Sequence, residues 1–219
     1  MTARVRFYFD FISPYAYLAW SDAKALAART DTEVSFEPIL FAGLLNHWGQ
    51  LGPAEIGPKK RFTFRDAYRR AHDRGLSLTP PATHPFNPLT ALRLAQPEVA
   101  GDLQTAIVDT LYHHAWGEGG ELGDPKAIAE ALTRAGLDAT LVERTQDPAV
   151  KERLKARTAD AVERGVFGVP TFLAERDGET ELFWGHDRFR DLERWIAGED
   201  PAANIAADLE RSASADRRS

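Results

Sequence analysis

The chain has 219 residues, of which 43% are hydrophobic and 27% are charged, and these proportions are ordinary for a globular protein. Its 27 basic and 33 acidic residues leave a net charge of −6, so we expect no nucleic-acid partner, which would need clustered positive charge. No stretch approaches the roughly 18 apolar residues of a membrane span, and the first residues show no secretory-signal pattern. We therefore expect a cytoplasmic protein that has no membrane partner.

The absence of cysteine is the most informative feature of the composition. Without cysteine the chain can form no disulfide, no thiolate metal site and no cysteine nucleophile. Any sulfur chemistry must therefore use a thiol that comes from another molecule.

The first 40 residues predict a strand, a helix and a second strand. Apolar and polar side chains alternate over residues 4–11, which is typical of a strand. Ser13 is a favoured N-cap and Pro14 a favoured first helical residue, so a helix is expected from Ser13 to about Thr30. Residues 33–38 predict a second strand, and the three elements form a βαβ unit with parallel strands.

A long helical segment then interrupts the β pattern. Glycines and a proline over residues 41–57 predict a loop, and four prolines over residues 79–88 predict an irregular segment. The predicted helices cover residues 58–74, 89–95, 102–116, 125–135, 138–144 and 148–164.

The β pattern returns near the end of the chain. Strands are predicted at residues 171–175 and 181–184, with Asp177-Gly178 as the turn between them, followed by a helix at 187–197. The order of these elements predicts an α/β, thioredoxin-like fold with an all-helical domain inserted after the first βαβ unit. We assign residues 1–40 and 166–198 to the thioredoxin-like domain, 41–165 to the helical insertion with its loops, and 199–219 to a flexible tail.

Ser13 occupies the place where this topology carries its reactive group, at the start of the first helix. A helix N-terminus presents free N–H groups and about half a positive charge, and the hydroxyl can donate one more hydrogen bond to an anion. The helix contributes roughly 0.3–1 kcal/mol and the hydrogen bond roughly 1.5–3 kcal/mol, enough to lower a thiol pKa by about one to two units. A second landmark of the topology, a proline before the third strand, is met by Val169-Pro170. The simpler alternative is that Ser13 only caps the helix.

Four segments together resemble the 2-hydroxychromene-2-carboxylate isomerases and the kappa-class glutathione transferases. They cover residues 7–19, 113–119, 165–172 and 184–188. The resemblance implies glutathione as the cofactor, Ser13 as the residue that contacts its sulfur, and Val169 with Pro170 as the partner of its cysteinyl part.

The same resemblance assigns the γ-glutamyl end of glutathione to Trp184, Gly185, His186 and Asp187. Asp187 is chemically suited to accept hydrogen bonds from the glutamyl ammonium group. Gln50 is a further candidate contact for glutathione.

The acceptor side, which is the part of the site that would bind the substrate, departs from the family pattern. Where naphthalene-pathway isomerases have a substrate-binding lysine and an Asn-Arg pair, this chain has Leu45, Glu55 and Ile56. A substrate tyrosine of those enzymes aligns near His84, and we take His84 and Asn87 as candidate substrate contacts.

The expected activity is the glutathione-dependent isomerisation of a small aromatic substrate, a 2-hydroxychromene-2-carboxylate-like arylidene-pyruvate. Alternatives are a kappa-class-like transferase or peroxidase acting on other electrophiles, or a non-catalytic thioredoxin-fold binding module. A serine hydrolase is disfavoured because Pro14 removes the N–H that would serve as an oxyanion donor. The resemblance also suggests a homodimer.

For two other groups of residues, ordinary packing and solvation are a sufficient explanation. Adjacent residues on a helix do not share a face, so His113-His114 predicts one packed and one solvated ring, and we expect no metal site. The basic residues between Lys59 and Arg70 predict a solvated helix face, with attraction of an acidic group as the alternative.

Overall fold

A computed structural model describes residues 3–202, so the predicted flexible tail lies outside the described residues from residue 203 onward. The strands are β1 (Arg4–Phe9), β2 (Glu33–Pro38), β3 (Thr171–Arg176) and β4 (Glu179–Trp184). The α-helices are α1 (Pro14–Thr30), α2 (Phe41–Trp48), α3 (Gly57–Asp73), α4 (Leu89–Leu94), α5 (Pro97–Ala100), α6 (Gln104–Tyr112), α7 (Pro125–Arg134), α8 (Leu141–Arg144), α9 (Pro148–Glu163) and α10 (Phe189–Ala197). In this part of the chain, no helix is both long and apolar enough to cross a membrane.

The strands form one sheet in the order β2-β1-β3-β4 over the described residues. β1 pairs with β2 in parallel and with β3 antiparallel, and β3 pairs antiparallel with β4. Asp177 and Gly178 both have positive φ, as the central residues of a type I′ hairpin turn require. This arrangement confirms the predicted α/β, thioredoxin-like fold.

Both faces of β1 are buried in its second half, from Phe7 to Phe9. Phe7 and Phe9 lie in the main core, whereas Tyr8 packs on the opposite face with Ile39 and Leu44 and is only 1% exposed. The alternation of side chains in β1 thus separates two cores rather than a core from solvent. The strand is also shorter than predicted, since it ends at Phe9.

The helical segment packs directly onto the sheet. One cluster of buried side chains includes Phe9 and Phe11 next to the sheet together with Leu92, Leu111 and Trp116 of the segment. Sheet and helices therefore share a core, and the division of the chain into domains stays a prediction.

The loop predicted for residues 41–57 is wrong at its start, because α2 forms there. The Thr158 hydroxyl accepts the N–H of Leu40 at 3.0 Å, and the Asp10 carboxylate accepts the N–H of Phe41 at 2.9 Å. Gly49 ends the helix in the left-handed conformation. Side chains that are distant in sequence thus supply the capping groups that the local sequence lacks.

The helix predicted for residues 102–116 is divided in three. A 3₁₀ turn at Gly101–Leu103 precedes α6, and a π-helix follows over His113–Gly117. The predicted helices and strands at the other positions are confirmed within a few residues at their ends.

The cap of α2 gives a prediction about stability. Replacing Thr158 by valine keeps its shape but leaves the Leu40 N–H without its acceptor, so the free energy of unfolding should fall by about 1–2 kcal/mol. Urea unfolding measures the change. Thr133→Val is the matched control, because the Thr133 hydroxyl only donates to the carbonyl four residues earlier. Equal stabilities of the two variants would contradict the proposed cap.

Candidate active site

Ser13 is the N-cap of α1 and lies against the segment before β3. Its hydroxyl oxygen accepts the N–H of Ala16 at 3.2 Å, and the hydroxyl donates to the carbonyl of Val169 at 3.4 Å. The Val169-Pro170 peptide bond is cis, and Ser13 is 8% exposed. The structure therefore brings together the serine and the proline that the sequence analysis singled out.

The segment from Trp184 to Asp187 lies beside Pro170. The N–H of Gly185 donates to the Pro170 carbonyl at 3.0 Å, continuing the β3–β4 pairing. Gly185 has a φ of 122°, and a Cβ at this position would lie 2.7 Å from the Asp187 Oδ1 atom. Only glycine fits this turn, which holds the Asp187 carboxylate close to the backbone.

His186 joins this segment to the start of α1. Its ring stacks on that of Tyr15 with centroids 4.8 Å apart, and its carbonyl accepts a hydrogen bond from Arg74 at 3.1 Å. Burial, and secondarily the Arg74 charge, lower the pKa of His186. Tyr15 in turn donates to Asp66 of α3 at 3.0 Å, and burial followed by this bond raises the Tyr15 pKa.

Asp187 and Trp184 are the exposed members of the group. Asp187 forms an ion pair with Arg188 at 3.2 Å, and 55% of its side chain is exposed. Trp184 packs edge-on against Phe167 and is 53% exposed. Of the predicted glutathione contacts, the Val169 carbonyl contacts Ser13 directly, whereas the Trp184 ring and the accessible Asp187 carboxylate belong to the segment that is hydrogen-bonded to Pro170. The roles of these residues stay predictions.

Three other predicted contacts lie in the helical segment. The His84 Nε2 atom is 2.9 Å from the carbonyl of Ile12, one residue before Ser13. Asn87 accepts the N–H of Leu89 through its carboxamide oxygen at the start of α4. Gln50 follows α2 and is exposed. Within residues 3–202, no hydrogen bond joins the Asn87 or Gln50 side chain to the residues around Ser13.

Asp10 is a residue of the site that the sequence analysis did not identify. Its carboxylate is fully buried and accepts the N–H groups of Ile12 at 3.0 Å and Phe41 at 2.9 Å. Burial raises the pKa of Asp10 to about 7, although the two backbone hydrogen bonds oppose this shift. An acid in the middle of an apolar stretch is the sequence signal that could have revealed it.

The paired histidines behave as predicted. The His114 side chain is 12% exposed and that of His113 is 66% exposed, and both lie near Glu118. Among the residues described, no group of three or more histidines and carboxylates could hold a metal ion.

In the basic part of α3, Lys60 donates to the His84 carbonyl at 2.8 Å, and Arg70 pairs with acids of its own helix.

The buried acid predicts a pH dependence of stability. Its pKa is higher in the folded than in the unfolded chain, so folding takes up a proton between about pH 4 and pH 7. The free energy of unfolding should therefore fall as pH rises through this window, by about 1.4 kcal/mol for each unit of pKa difference. Asp10→Asn should be less stable overall, because the amide nitrogen cannot accept an N–H, but it should lack this slope. Urea unfolding from pH 4.5 to 7.5 tests this, and parallel profiles would disprove it.

Comparisons with known proteins cover nearly the whole chain. A family model described as a DSBA-like thioredoxin domain matches residues 4–197. The 2-hydroxychromene-2-carboxylate isomerase of Sphingobium xenophagum is 34% identical over 200 residues, which cover 90% of this chain and 99% of that protein. Glutathione S-transferase kappa 1 of Homo sapiens is 26% identical over 220 residues, covering 91% and 96% of the two chains.

The fold comparison agrees with the sequence comparison. The solved structure of a 2-hydroxychromene-2-carboxylate isomerase matches with a TM-score of 0.77 at 29% identity, and the match covers 94% of this chain and 98% of the other. The expected resemblance is thus confirmed. The chain belongs to the DSBA-like thioredoxin-domain family and is a homologue of the 2-hydroxychromene-2-carboxylate isomerases and the kappa-class glutathione transferases.

Proposed function

We propose that this protein is a glutathione-dependent isomerase of 2-hydroxychromene-2-carboxylate-like compounds. The observation that carries the proposal is the Ser13 hydroxyl at the start of α1, beside the Val169 carbonyl, in a chain that has no thiol of its own. The relatives named as isomerases and kappa-class transferases support a thiol cofactor at this position. We also propose a cytoplasmic location and a homodimer, for which the resemblance is the support.

The residues around Ser13 fit a tripeptide thiol. The Val169 carbonyl offers an acceptor for a peptide N–H, and the exposed Asp187 carboxylate offers one for an ammonium group. When bound, glutathione would supply a thiolate that adds reversibly to a conjugated double bond, so that the bond can rotate before the thiolate leaves.

The role of Ser13 follows from the hydrogen bonds that it makes. Its oxygen accepts the Ala16 N–H, so its single hydrogen stays available as a donor. In this structure that hydrogen is directed to the Val169 carbonyl over a long distance of 3.4 Å. A peptide N–H that binds the same carbonyl would compete with the hydroxyl, which could then turn towards a sulfur anion. Ser13 would thereby stabilise the thiolate without acting as a nucleophile.

The acceptor side supports a second candidate function. Glu55 stands where related isomerases carry part of a substrate-binding Asn-Arg pair, and its carboxylate accepts the N–H of Gly52 at 2.7 Å within its own turn. Leu45 and Ile56 add no charge. A substrate other than the naphthalene-pathway acid is therefore consistent with the site, and a transferase or peroxidase that acts on other electrophiles is the alternative. A binding module would bind a peptide against the Val169-Pro170 segment without catalysis.

Removal of the Ser13 hydroxyl tests the proposed function. We expect Ser13→Ala to raise the pKa of bound glutathione by about one unit and to lower turnover about tenfold, because a hydrogen bond to a charged group is lost. Glutathione affinity measured by calorimetry should stay within about twofold. Ser21→Ala removes an exposed hydroxyl from the same helix and should behave as wild type. Unchanged turnover in Ser13→Ala would exclude Ser13 from the mechanism.

Asp187 should control the affinity for glutathione rather than the pKa of its thiol. Asp187→Asn removes the charge that would pair with the glutamyl ammonium, and we expect calorimetry to show at least roughly tenfold weaker glutathione binding. Asp191→Asn is the matched control, since both carboxylates pair with Arg188. Equal losses in the two variants would contradict a direct contact.

A substrate panel separates the candidate functions. Turnover of arylidene-pyruvates only in the presence of glutathione would support the isomerase, and turnover confined to other electrophiles would support the transferase or peroxidase. If the wild-type protein shows no heat of binding at millimolar glutathione, the non-catalytic binding module is the candidate function that remains.

A further inference from the structure

The three residues before Ser13 share an unusual feature: each of their carbonyls accepts a hydrogen bond from a side chain of the helical segment. Tyr112 donates to the Asp10 carbonyl at 3.4 Å, and Trp116 donates to the Phe11 carbonyl at 2.7 Å. The third is the Ile12 carbonyl, 2.9 Å from the His84 Nε2 atom. We call this set of three side chains the carbonyl clamp.

The clamp depends on the π-helix. Tyr112 ends α6 and Trp116 lies within His113–Gly117, so the wider turn carries the chain from one donor to the next. Gly117 ends this turn close to the His113 ring, because a Cβ at position 117 would lie 2.6 Å from the His113 Nδ1 atom. A π-helix is rare and is often found at a functional site.

His84 is the member that is nearest to Ser13. A carbonyl can only accept, so the Nε2 atom of His84 carries the hydrogen. The ring is fixed by edge contacts with Phe64 and Trp116, and its Nδ1 atom is buried without a hydrogen-bond partner in the described structure. The geometry thus directs the ring to the backbone rather than leaving it free as a substrate ligand.

We propose that His84, Tyr112 and Trp116 are positioning residues that hold the peptide planes of residues 10–12 so that the Ser13 hydroxyl is placed for a thiolate. This inference rests on the proposed function. A carbonyl oxygen carries partial negative charge, and a plane free to rotate could direct it towards the sulfur and disfavour the anion. Rotation would also displace Ser13, and a shift of about 1 Å can reduce turnover roughly 100-fold.

The test compares variants that each remove one donor with a variant that restores a donor at the same position. His84→Phe keeps a ring but loses the N–H, Tyr112→Phe loses only the hydroxyl, and His84→Gln restores an N–H donor of similar reach. Tyr17→Phe is the matched control, because the Tyr17 hydroxyl donates to the Ser77 carbonyl at 2.8 Å, away from the clamped residues.

Four readouts distinguish positioning from general destabilisation. Absorbance titration of the bound thiolate should show a higher thiol pKa for His84→Phe and Tyr112→Phe, and turnover should fall about 10- to 100-fold in His84→Phe. Glutathione affinity should change less than about threefold. Hydrogen exchange at the Ile12 and Ser13 amides should be at least roughly tenfold faster in both variants, with no glutathione present. His84→Gln should recover most of what His84→Phe loses in thiol pKa and amide exchange, and Tyr17→Phe should resemble wild type in every readout.

The outcomes are decisive for the clamp. It is overturned if His84→Phe matches wild type in thiol pKa and amide exchange, or if His84→Gln is as defective as His84→Phe. If His84→Phe fails to fold, Tyr112→Phe decides by the same measurements. If the wild-type protein binds no glutathione, the proposed function fails, and the amide exchange alone then supports or rejects the positioning of residues 10–13.

Discussion

A buried backbone N–H or carbonyl needs a hydrogen-bond partner, and this requirement is most severe for the irregular segment between β1 and α1. Within the segment, the Ser13 N–H donates to the Asp10 carbonyl at 3.1 Å, and other partners come from side chains. The Asp10 carboxylate accepts the N–H of Ile12, and side chains of the helical segment donate to the carbonyls of residues 10–12. The helical segment is therefore a structural part of the Ser13 site and not an addition at its edge.

The charges near Ser13 oppose one another. The start of α1 favours an anion, whereas an ionised Asp10 in the same loop would disfavour a second negative charge nearby. Burial raises the Asp10 pKa to about 7, so this carboxyl is neutral about half of the time at pH 7, where an exposed aspartate would be ionised. The Asp10 carboxyl can thus accept both N–H groups while it repels a nearby thiolate less than a fully ionised carboxylate would. An ionised acid with the same contacts would be less compatible with the proposed chemistry.

The parts of the fold that could be predicted depend on local signals. Ser13-Pro14 defines the start of α1, and Asp177-Gly178 defines the hairpin, because each encodes its own geometry. Helix α2 could not be predicted, since its capping side chains are 31 and 118 residues away. The position of His84 shows the same limit. Its alignment with a substrate tyrosine indicated a ligand contact, which stays a prediction, but could not show that its Nε2 atom lies 2.9 Å from a carbonyl 72 residues earlier.

Under the proposed function, the two halves of the site are subject to different constraints. The cofactor side uses backbone groups and the turn that follows β4, where the Gly185 N–H donates to the Pro170 carbonyl, and the fold itself fixes both. The helical segment has to supply the buried donors of the carbonyl clamp, and it also carries exposed rings such as Phe62 and Tyr68, which are 64% and 60% exposed. Exposed positions tolerate change far better than buried donors, because their replacement leaves no unpaired polar group. Exposed positions of the helical segment can therefore change while the clamped residues 10–12 keep one geometry.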